Sequence, residues 1–120
     1  MESISSYKDL VVWKKSVELA LLVYKLTSSF PKEEVYGLTS QMRRSSVSVA
    51  SNIAEGSIRG SKKDFCHFLR IALGSNAELQ TQLEISKSLS FGKVLDYNEI
   101  DNLTIEISEM IHGLTNKLKI

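Results

Sequence analysis

The sequence has little of what would interrupt helices, cross-link the chain or anchor it in a membrane. It contains one proline, Pro31, and one cysteine, Cys66, among 120 residues. A single cysteine excludes an internal disulfide and is typical of proteins from a reducing compartment. No apolar run approaches the roughly 18 residues that span a bilayer, and residues 1–6 lack the basic and apolar segments of a signal peptide. We therefore expect a cytoplasmic protein with no membrane partner.

The scarcity of proline and of alternating apolar and polar residues predicts an all-α protein. A content of 42% hydrophobic and 24% charged residues suits a single globular domain over residues 1–120, with residues 1–6 as an N-terminal arm. The apolar spacing predicts four helices, over about residues 8–28, 38–55, 62–88 and 97–118. Short connections favour antiparallel neighbours, so we expect an up-down-up-down four-helix bundle.

The predicted helices also carry signals at their ends. Gly56 is predicted to end the second helix in the left-handed conformation that glycine adopts easily. Three pairs of residues have the spacing of a capping box, which marks the start of a helix: Ser6 with Asp9, Ser61 with Asp64, and Asp96 with Glu99.

The first helix carries apolar residues on two nearly opposite faces, of which a lone four-helix bundle would bury only one. Leu10, Trp13 and Leu21 mark one face. Because so large an exposed apolar patch is rare on soluble monomers, we expect a homo-oligomer. The predicted subunit interface consists of the other face together with two residues of the second helix: Val12, Leu19, Leu22, Val23, Leu26, Val47 and Ala54. The alternative is an irregular bundle in which the first helix is central.

A polar stripe runs along the second helix at a spacing of three or four residues. It consists of Gln41, Arg44, Ser48, Asn52 and Glu55. Unlike the long side chains that usually coat a solvated face, these groups are short or fork-shaped, which predicts either a ligand site or a structural polar network. Glu55 lies where the helix dipole disfavours a negative charge, so we expect a cationic partner: Arg44, Arg59 or an arginine of another subunit.

Charge is distributed unevenly, although the net charge is only +1. Residues 37–77 contain six cations against two acids, whereas residues 78–110 contain seven acids against two lysines. The loop 56–60 before the third helix has free N–H groups that suit an anion. Since no aromatic stacking platform accompanies the cations, we expect electrostatic, sequence-tolerant binding. The residues predicted to contact the backbone of a nucleic acid are Arg43, Arg44, Arg59, Lys62, Lys63 and Arg70.

Metal binding and catalysis have weak support in the sequence. Glu109 with His112, and Asp64 with His67, have the spacing used in di-metal bundles, but both pairs point away from the apolar seam. Cys66 and His67 project about 100° apart on a helix, so they do not form a nucleophile and base pair. No phosphate-binding loop, nucleophile elbow or zinc spacing occurs. We expect no metal, no cofactor and no enzymatic activity.

One group of residues is specific enough to indicate a family: Gln41, Arg43 and Arg44, followed by the block Asn-Ile-Ala-Glu-Gly at 52–56. Less specific matches are Trp13, Tyr24, Phe30, Pro31, Tyr36, Gly37, Leu38, Ser48, Arg59, Gly74, Ser75 and Glu78. Over nearly its whole length the chain resembles the 23S rRNA intervening-sequence proteins, also called four helix bundle proteins. Ser45 and Ser46 depart from this family, which is more often alanine-rich there.

The resemblance implies an antiparallel four-helix bundle that assembles as a homopentamer in bacteria. A related branch is similar to the accessory proteins of diversity-generating retroelements, which implies binding to nucleic acid and to a reverse transcriptase. The leading hypothesis is therefore a non-enzymatic, homo-oligomeric bundle that binds RNA or DNA through the six cations. The alternative is a scaffold, or a retroelement accessory protein, whose protein partner docks on the polar stripe or on the acidic fourth helix.

Overall fold

Four α-helices form the structure, a computed structural model described over residues 6–119. They are α1 (Val11–Thr27), α2 (Leu38–Ser57), α3 (Lys62–Ser88) and α4 (Asn98–Leu118), with short 3-10 turns at Tyr7–Asp9 and Lys32–Glu34. No strand occurs within residues 6–119, which confirms the all-α fold. Within the same residues, no helix is long and apolar enough to cross a membrane. Of the predicted N-terminal arm, residues 1–5 lie outside the described part of the chain.

Each helix packs against the next one in the chain, and α1 also packs against α4. This closed arrangement surrounds one core to which every helix contributes. Leu19, Met42, Leu69 and Ile107 come from the four different helices, and each is fully buried. The core positions recur every three or four residues along each helix, so the apolar periodicity of the sequence is the direct cause of the bundle.

The helix starts follow the sequence signals in part. The Ser61 hydroxyl accepts a hydrogen bond from the N–H of Asp64 at 3.1 Å, which confirms the predicted cap of α3. The Ser6 hydroxyl instead caps the first 3-10 turn. Because Leu10 after that turn has an extended backbone, α1 begins later than predicted. The Asp96 carboxylate accepts a hydrogen bond from the N–H two residues further on, at the start of α4.

The glycine predicted to end α2 lies inside that helix instead. Gly56 is buried and helical, and α2 continues to Ser57. A Cβ atom at position 56 would lie 2.6 Å from the Cβ of Phe68 on α3, so glycine is needed for the close approach of the two helices. The left-handed glycine of this connection is Gly60, with a φ of 92°.

The predicted subunit interface on α1 is wrong for three of its residues. Val12, Leu19 and Val23 are at most 5% exposed and belong to the core of their own subunit. Leu22 and Leu26 are half-buried and pack against the same core. The physical reason is that α1 packs against both α2 and α4, so a wide arc of its surface is covered within one subunit.

The apolar surface that remains uncovered lies on the other face of α1 and on the adjoining part of α2. Leu21 is 66% exposed and Tyr24 is 44% exposed, while Val47 on α2 is 42% exposed. Val17 and Ala54 are half-buried beside them at helical spacing. We call these five residues the outward stripe. The sequence thus predicted correctly that α1 has two apolar faces, but it assigned the exposed one to the wrong side.

Candidate nucleic-acid interface

Ser48 links the polar stripe of α2 to α3, and Asn52 binds back to Ser48 within α2. The hydroxyls of Ser48 and Ser75 are 2.8 Å apart. The side-chain amide of Asn52 donates to the backbone carbonyl of Ser48 at 2.9 Å and to its hydroxyl at 3.0 Å. For Ser48 and Asn52 the geometry therefore favours the structural network over a ligand site. Gln41 and Arg44 are exposed and keep their polar groups toward solvent.

Glu55, at the end of the polar stripe, pairs with an arginine four residues further along the chain. A carboxylate oxygen of Glu55 lies 2.6 Å from a guanidinium nitrogen of Arg59. The same guanidinium lies over the ring of Phe68, 4.7 Å from its centroid. Of the three predicted partners, Arg59 within the same subunit is the one present. Because its charge is balanced by Glu55, Arg59 contributes less free positive charge than the sequence predicted.

Arg43 is held in a similar way, but by α1. Its Nε donates to the hydroxyl of Thr27 at 2.9 Å, and a terminal nitrogen donates to the carbonyl of Tyr24 at 3.4 Å. The guanidinium also lies 4.4 Å from the centroid of the Tyr24 ring. The Tyr24 carbonyl also accepts from the N–H of Ser28, and a cation at the C-terminal end of a helix interacts favourably with the helix dipole. Arg43 is therefore best explained as a structural link between α1 and α2.

The four remaining cations are exposed and have no acidic partner within residues 6–119. They are Arg44, Lys62, Lys63 and Arg70, and we call them the free cations. Lys62 and Lys63 are the first two residues of α3, where unpaired backbone N–H groups and the helix dipole add positive potential. Arg70 follows Lys63 by seven residues, so both lie on one face of α3.

The free cations do not form one cluster. The end of α2 lies beside the start of α3, and Ser48 is level with Ser75. At about 1.5 Å per residue along each helix, Arg44 lies about 14 Å from the level of Arg70. Lys62 lies about 12 Å from Arg70 by the same reckoning, so the free cations are spread along α2 and α3. Of the six predicted cations, Arg43 and Arg59 are held by other groups of the subunit, and the four free cations remain available.

Arg44 instead lines a groove of about 650 Å³ between α2 and α3. Tyr36 lines the same groove, and its side chain is 98% exposed. Tyr36 is therefore an aromatic residue near Arg44 that the sequence analysis did not identify. It lies in the turn before α2, so no helical spacing in the sequence links it to Arg44.

The charges around α4 are balanced in a different way. Lys87 on α3 donates to Asp101 at 2.7 Å and to Glu84 at 2.8 Å, and both hydrogen bonds raise the pKa of Lys87 above its ordinary value. Lys15 on α1 lies 3.3 Å from Glu106. Part of the acidic surface of α4 is thus neutralised by lysines of the same subunit.

The residues considered above for metal binding and catalysis differ in burial or lie on the exposed surface. Cys66 is buried, whereas His67 is exposed. Both residues of the pair Glu109 and His112 are exposed as well. Within the described part of the chain, no group of three His, Cys, Asp or Glu residues is placed to hold a metal ion.

Comparisons with known proteins agree with this architecture. A sequence model of the 23S rRNA-intervening sequence protein family matches residues 8–113. The chain belongs to this family. Among solved structures, a protein of unknown function from the S23 ribosomal protein family of Bacteroides thetaiotaomicron VPI-5482 is similar, with 28% sequence identity and a TM-score of 0.76. That match covers 88% of this chain and 98% of the other chain. A comparison with curated proteins gave no significant match.

In this member of the family, the block at 52–56 has structural contacts. Asn52 binds one turn back to Ser48, and Glu55 holds Arg59 at the start of the α2–α3 connection. Gly56 allows α3 to approach α2 closely. The most specific part of the family resemblance therefore fixes the packing of α2 on α3 and the position of the connection between them.

Proposed function

We propose that this chain is a non-enzymatic four-helix bundle that binds RNA or another nucleic acid in the cytoplasm, and that it acts as a homo-oligomer, a pentamer. The single observation that carries the proposal is the presence of the free cations on α2 and α3, which are exposed and lack an acidic partner within residues 6–119. Cations that no carboxylate neutralises are available to phosphates. Their binding releases the counterions that were condensed on the nucleic acid.

Three of these cations form the main contact region in the proposal. Lys62, Lys63 and Arg70 lie on the first turns of α3, with Asp64 as the one acid among residues 60–77. The helix start adds its own N–H groups to this region. Lysines act as point charges, and arginine adds a fork of donors that suits a phosphate. Such contacts fix the position of a nucleic acid without reading its bases, so binding is expected to tolerate many sequences.

The antiparallel up-down-up-down order belongs to the same proposal. The connections between helices are short, which favours antiparallel neighbours. Hydrogen-bonded pairs also support it, because their residue numbers rise on one helix as they fall on the other: Ser48 with Ser75, Ser45 with Glu78, Asn76 with Thr104, and Lys87 with Asp101.

Assembly is supported by the outward stripe. Leu21, Tyr24 and Val47 remain exposed in the single subunit although two of them are large aliphatic residues and one is aromatic. Burial of such a surface between copies removes apolar area from water at about 25 cal/mol per Å². A pentamer, as the family resemblance implies, repeats the free cations five times. Repetition raises the overall affinity for a long polyanion because later contacts become intramolecular.

A comparison of two charge-matched variants tests nucleic-acid binding. Binding of a fluorescent single-stranded RNA of about ten nucleotides is measured by anisotropy at low salt. The change of Lys62, Lys63 and Arg70 to alanine is expected to weaken binding about 10- to 100-fold, because three phosphate contacts are lost.

The matched control removes the same positive charge elsewhere. Lys25, Lys32 and Lys93 are exposed and lie in or beside the α1–α2 and α3–α4 connections. Their change to alanine is expected to weaken binding less than about threefold. Equal losses in the two variants would mean that only net charge matters, and absence of binding by the native protein at low salt would refute the proposed function.

A further inference from the structure

The groove between α2 and α3 has features that the packing of the bundle does not require. Its volume of about 650 Å³ lies within the range of small-molecule sites. Polar side chains dominate the wall, including Arg44, Gln41, Glu78 and Gln82. Tyr36 lies at its edge. A groove of this size with a cation, an aromatic ring and several acceptors offers complementary groups for a ligand that is both charged and planar.

Tyr36 is exposed to a degree that is unusual for a large aromatic residue. Its side chain is 98% exposed, and it makes no ring-to-ring contact within residues 6–119. Both faces of the phenol ring are therefore open. Nucleobases stack on such rings, and one stacked base changes the affinity by roughly 5- to 150-fold.

Two side chains of α3 bring acceptors to the groove, and they differ in how open these are to a ligand. Gln82 is 8% exposed, and its Oε1 atom is buried, so a ligand does not reach it. The Glu78 carboxylate is exposed and receives one long hydrogen bond of 3.4 Å from Ser45. Glu78 therefore keeps acceptor capacity for a ligand that donates a hydrogen bond.

Arg44 supplies a positive charge and hydrogen-bond donors in the same groove. It is exposed, carries five N–H donors and has no acidic partner within the described residues. A guanidinium fork suits a phosphate, which binds it through two parallel hydrogen bonds. The groove thus combines a donor for a phosphate, a ring for a base and acceptors for an amino group.

We propose that this groove binds one unpaired nucleotide of the nucleic acid, with its phosphate at Arg44, its base stacked on Tyr36 and an exocyclic amino group of the base donating to the exposed carboxylate of Glu78. This inference rests on the proposed function and adds a base preference to it. Cytosine, adenine and guanine carry such an amino group, whereas uracil presents a carbonyl oxygen in its place. Single-stranded RNA with unpaired bases is the expected ligand, since a base within a duplex is not free to stack on the ring.

The test compares two pyrimidine probes whose bases differ along one edge: cytosine has an amino group at C4 and no hydrogen on N3, whereas uracil has a carbonyl at C4 and a hydrogen on N3. Anisotropy titrations use oligocytidylate and oligouridylate of about ten nucleotides at one low salt concentration. The native protein is expected to bind oligocytidylate about fivefold to tenfold more tightly, because the cytosine amino group meets the Glu78 carboxylate. Change of Glu78 to methionine removes that acceptor and is expected to abolish the difference between the probes, whatever its effect on their common affinity. Equal affinity of the native protein for both probes would overturn the inference.

The aromatic contribution is tested with a matched pair of substitutions. Tyr36→Ala is expected to weaken the binding of both probes about tenfold, and Tyr36→Phe is expected to bind like the native protein, because the stacking face is kept. Equal binding by Tyr36→Ala and the native protein would overturn the inference while the proposed function stands. Failure of the native protein to bind either probe would overturn the proposed function itself.

A mass measurement on Tyr36→Ala separates a ligand site from a subunit contact. The variant is expected to keep the same mass in solution and the same melting temperature as the native protein, since the side chain contributes almost no buried surface to its own subunit. A fall in mass would show that Tyr36 is covered by another copy and would refute its role as a stacking platform.

Discussion

α2 and α4 lie on opposite sides of the core. They differ in how many of the charged residues around them form ion pairs and in which apolar residues stay exposed. Around α4, Lys87 is bound by Asp101 and Glu84, and Lys15 lies beside Glu106. Around α2, Arg44 has no acidic partner among the described residues, and Val47 remains exposed. Two acids of α4 are thus paired with lysines of the same subunit, whereas the charge of Arg44 on α2 is not balanced, and we propose that contacts from outside form on the α2 side.

The largest effect that would test this comparison is loss of assembly. Leu21→Glu places a charge in the outward stripe beside α2, and burial of an unpaired carboxylate between copies is strongly unfavourable. Light scattering is expected to give several times the subunit mass for the native protein and 13.4 kDa for the variant.

The control for assembly is an exposed apolar residue on α4. Ile105 is 53% exposed, and Ile105→Glu is expected to leave the mass unchanged because the proposed interface lies on α1 and α2. Dissociation by Ile105→Glu but not by Leu21→Glu would place the interface on α4 and reverse the comparison.

A smaller effect concerns the close packing of α2 on α3. Gly56→Ala would bring a methyl group to 2.6 Å from the Cβ of Phe68. The variant is expected to lower the free energy of unfolding by about 1–3 kcal/mol, because a well-packed contact must open. Chemical denaturation followed by circular dichroism measures the change.

Gly74→Ala is the matched control for this contact. Gly74 lies within α3, and a Cβ there would meet no atom within 4 Å. Alanine is the better helix former, so this variant is expected to raise the free energy of unfolding by up to about 1 kcal/mol. If both alanine variants changed stability in the same direction, close approach would not be the reason for glycine at position 56.

The smallest predicted effect lies on the α4 side. Lys87→Met removes the contacts to Asp101 and Glu84 and is expected to lower the free energy of unfolding by less than about 1 kcal/mol, because the lysine is partly exposed to solvent. Its pKa is raised in the folded state, first by the hydrogen bond to Asp101 and then by that to Glu84.

The pH dependence of this contribution has a definite sign. A group whose pKa is higher in the folded state binds its proton more tightly there, so its contribution is complete at neutral pH. It is lost as the pH rises above the ordinary lysine range and through the raised pKa of Lys87. Denaturation curves of the native protein and Lys87→Met are therefore expected to converge at high pH, and a difference that grew with pH would contradict this explanation.

The helices themselves were predictable because one property, apolar periodicity, determines them. Leu69 and Ile107 lie at positions where that periodicity places the core, and both are fully buried. The side of α1 that stays exposed was not predictable in the same way. A helical wheel shows that Val12 and Leu21 point in different directions, but it does not show which neighbours cover each side. That depends on how α2 and α4 pack on α1.

The sequence predicted which residue types form the candidate site, but it did not predict the contacts that they make. The sequence shows that Arg43 and Arg44 are cations, but it gives no sign that Arg43 reaches back to Thr27 and Tyr24, 16 and 19 residues earlier. It also gives no sign that Arg44 shares a groove with Gln82. Such contacts between distant residues follow from the packing of whole helices, so they appear only when the fold is known.

The salt dependence of RNA binding tests the central claim most directly. If Lys62, Lys63, Arg70 and Arg44 contact phosphates of a single strand, the logarithm of the binding constant should fall with the logarithm of salt concentration at a slope of about −3 per subunit. Replacement of Lys62, Lys63 and Arg70 by alanine should reduce the steepness of that slope by about 2. A native slope near zero, or one that the three substitutions leave unchanged, would contradict the claim that these cations bind a phosphate backbone.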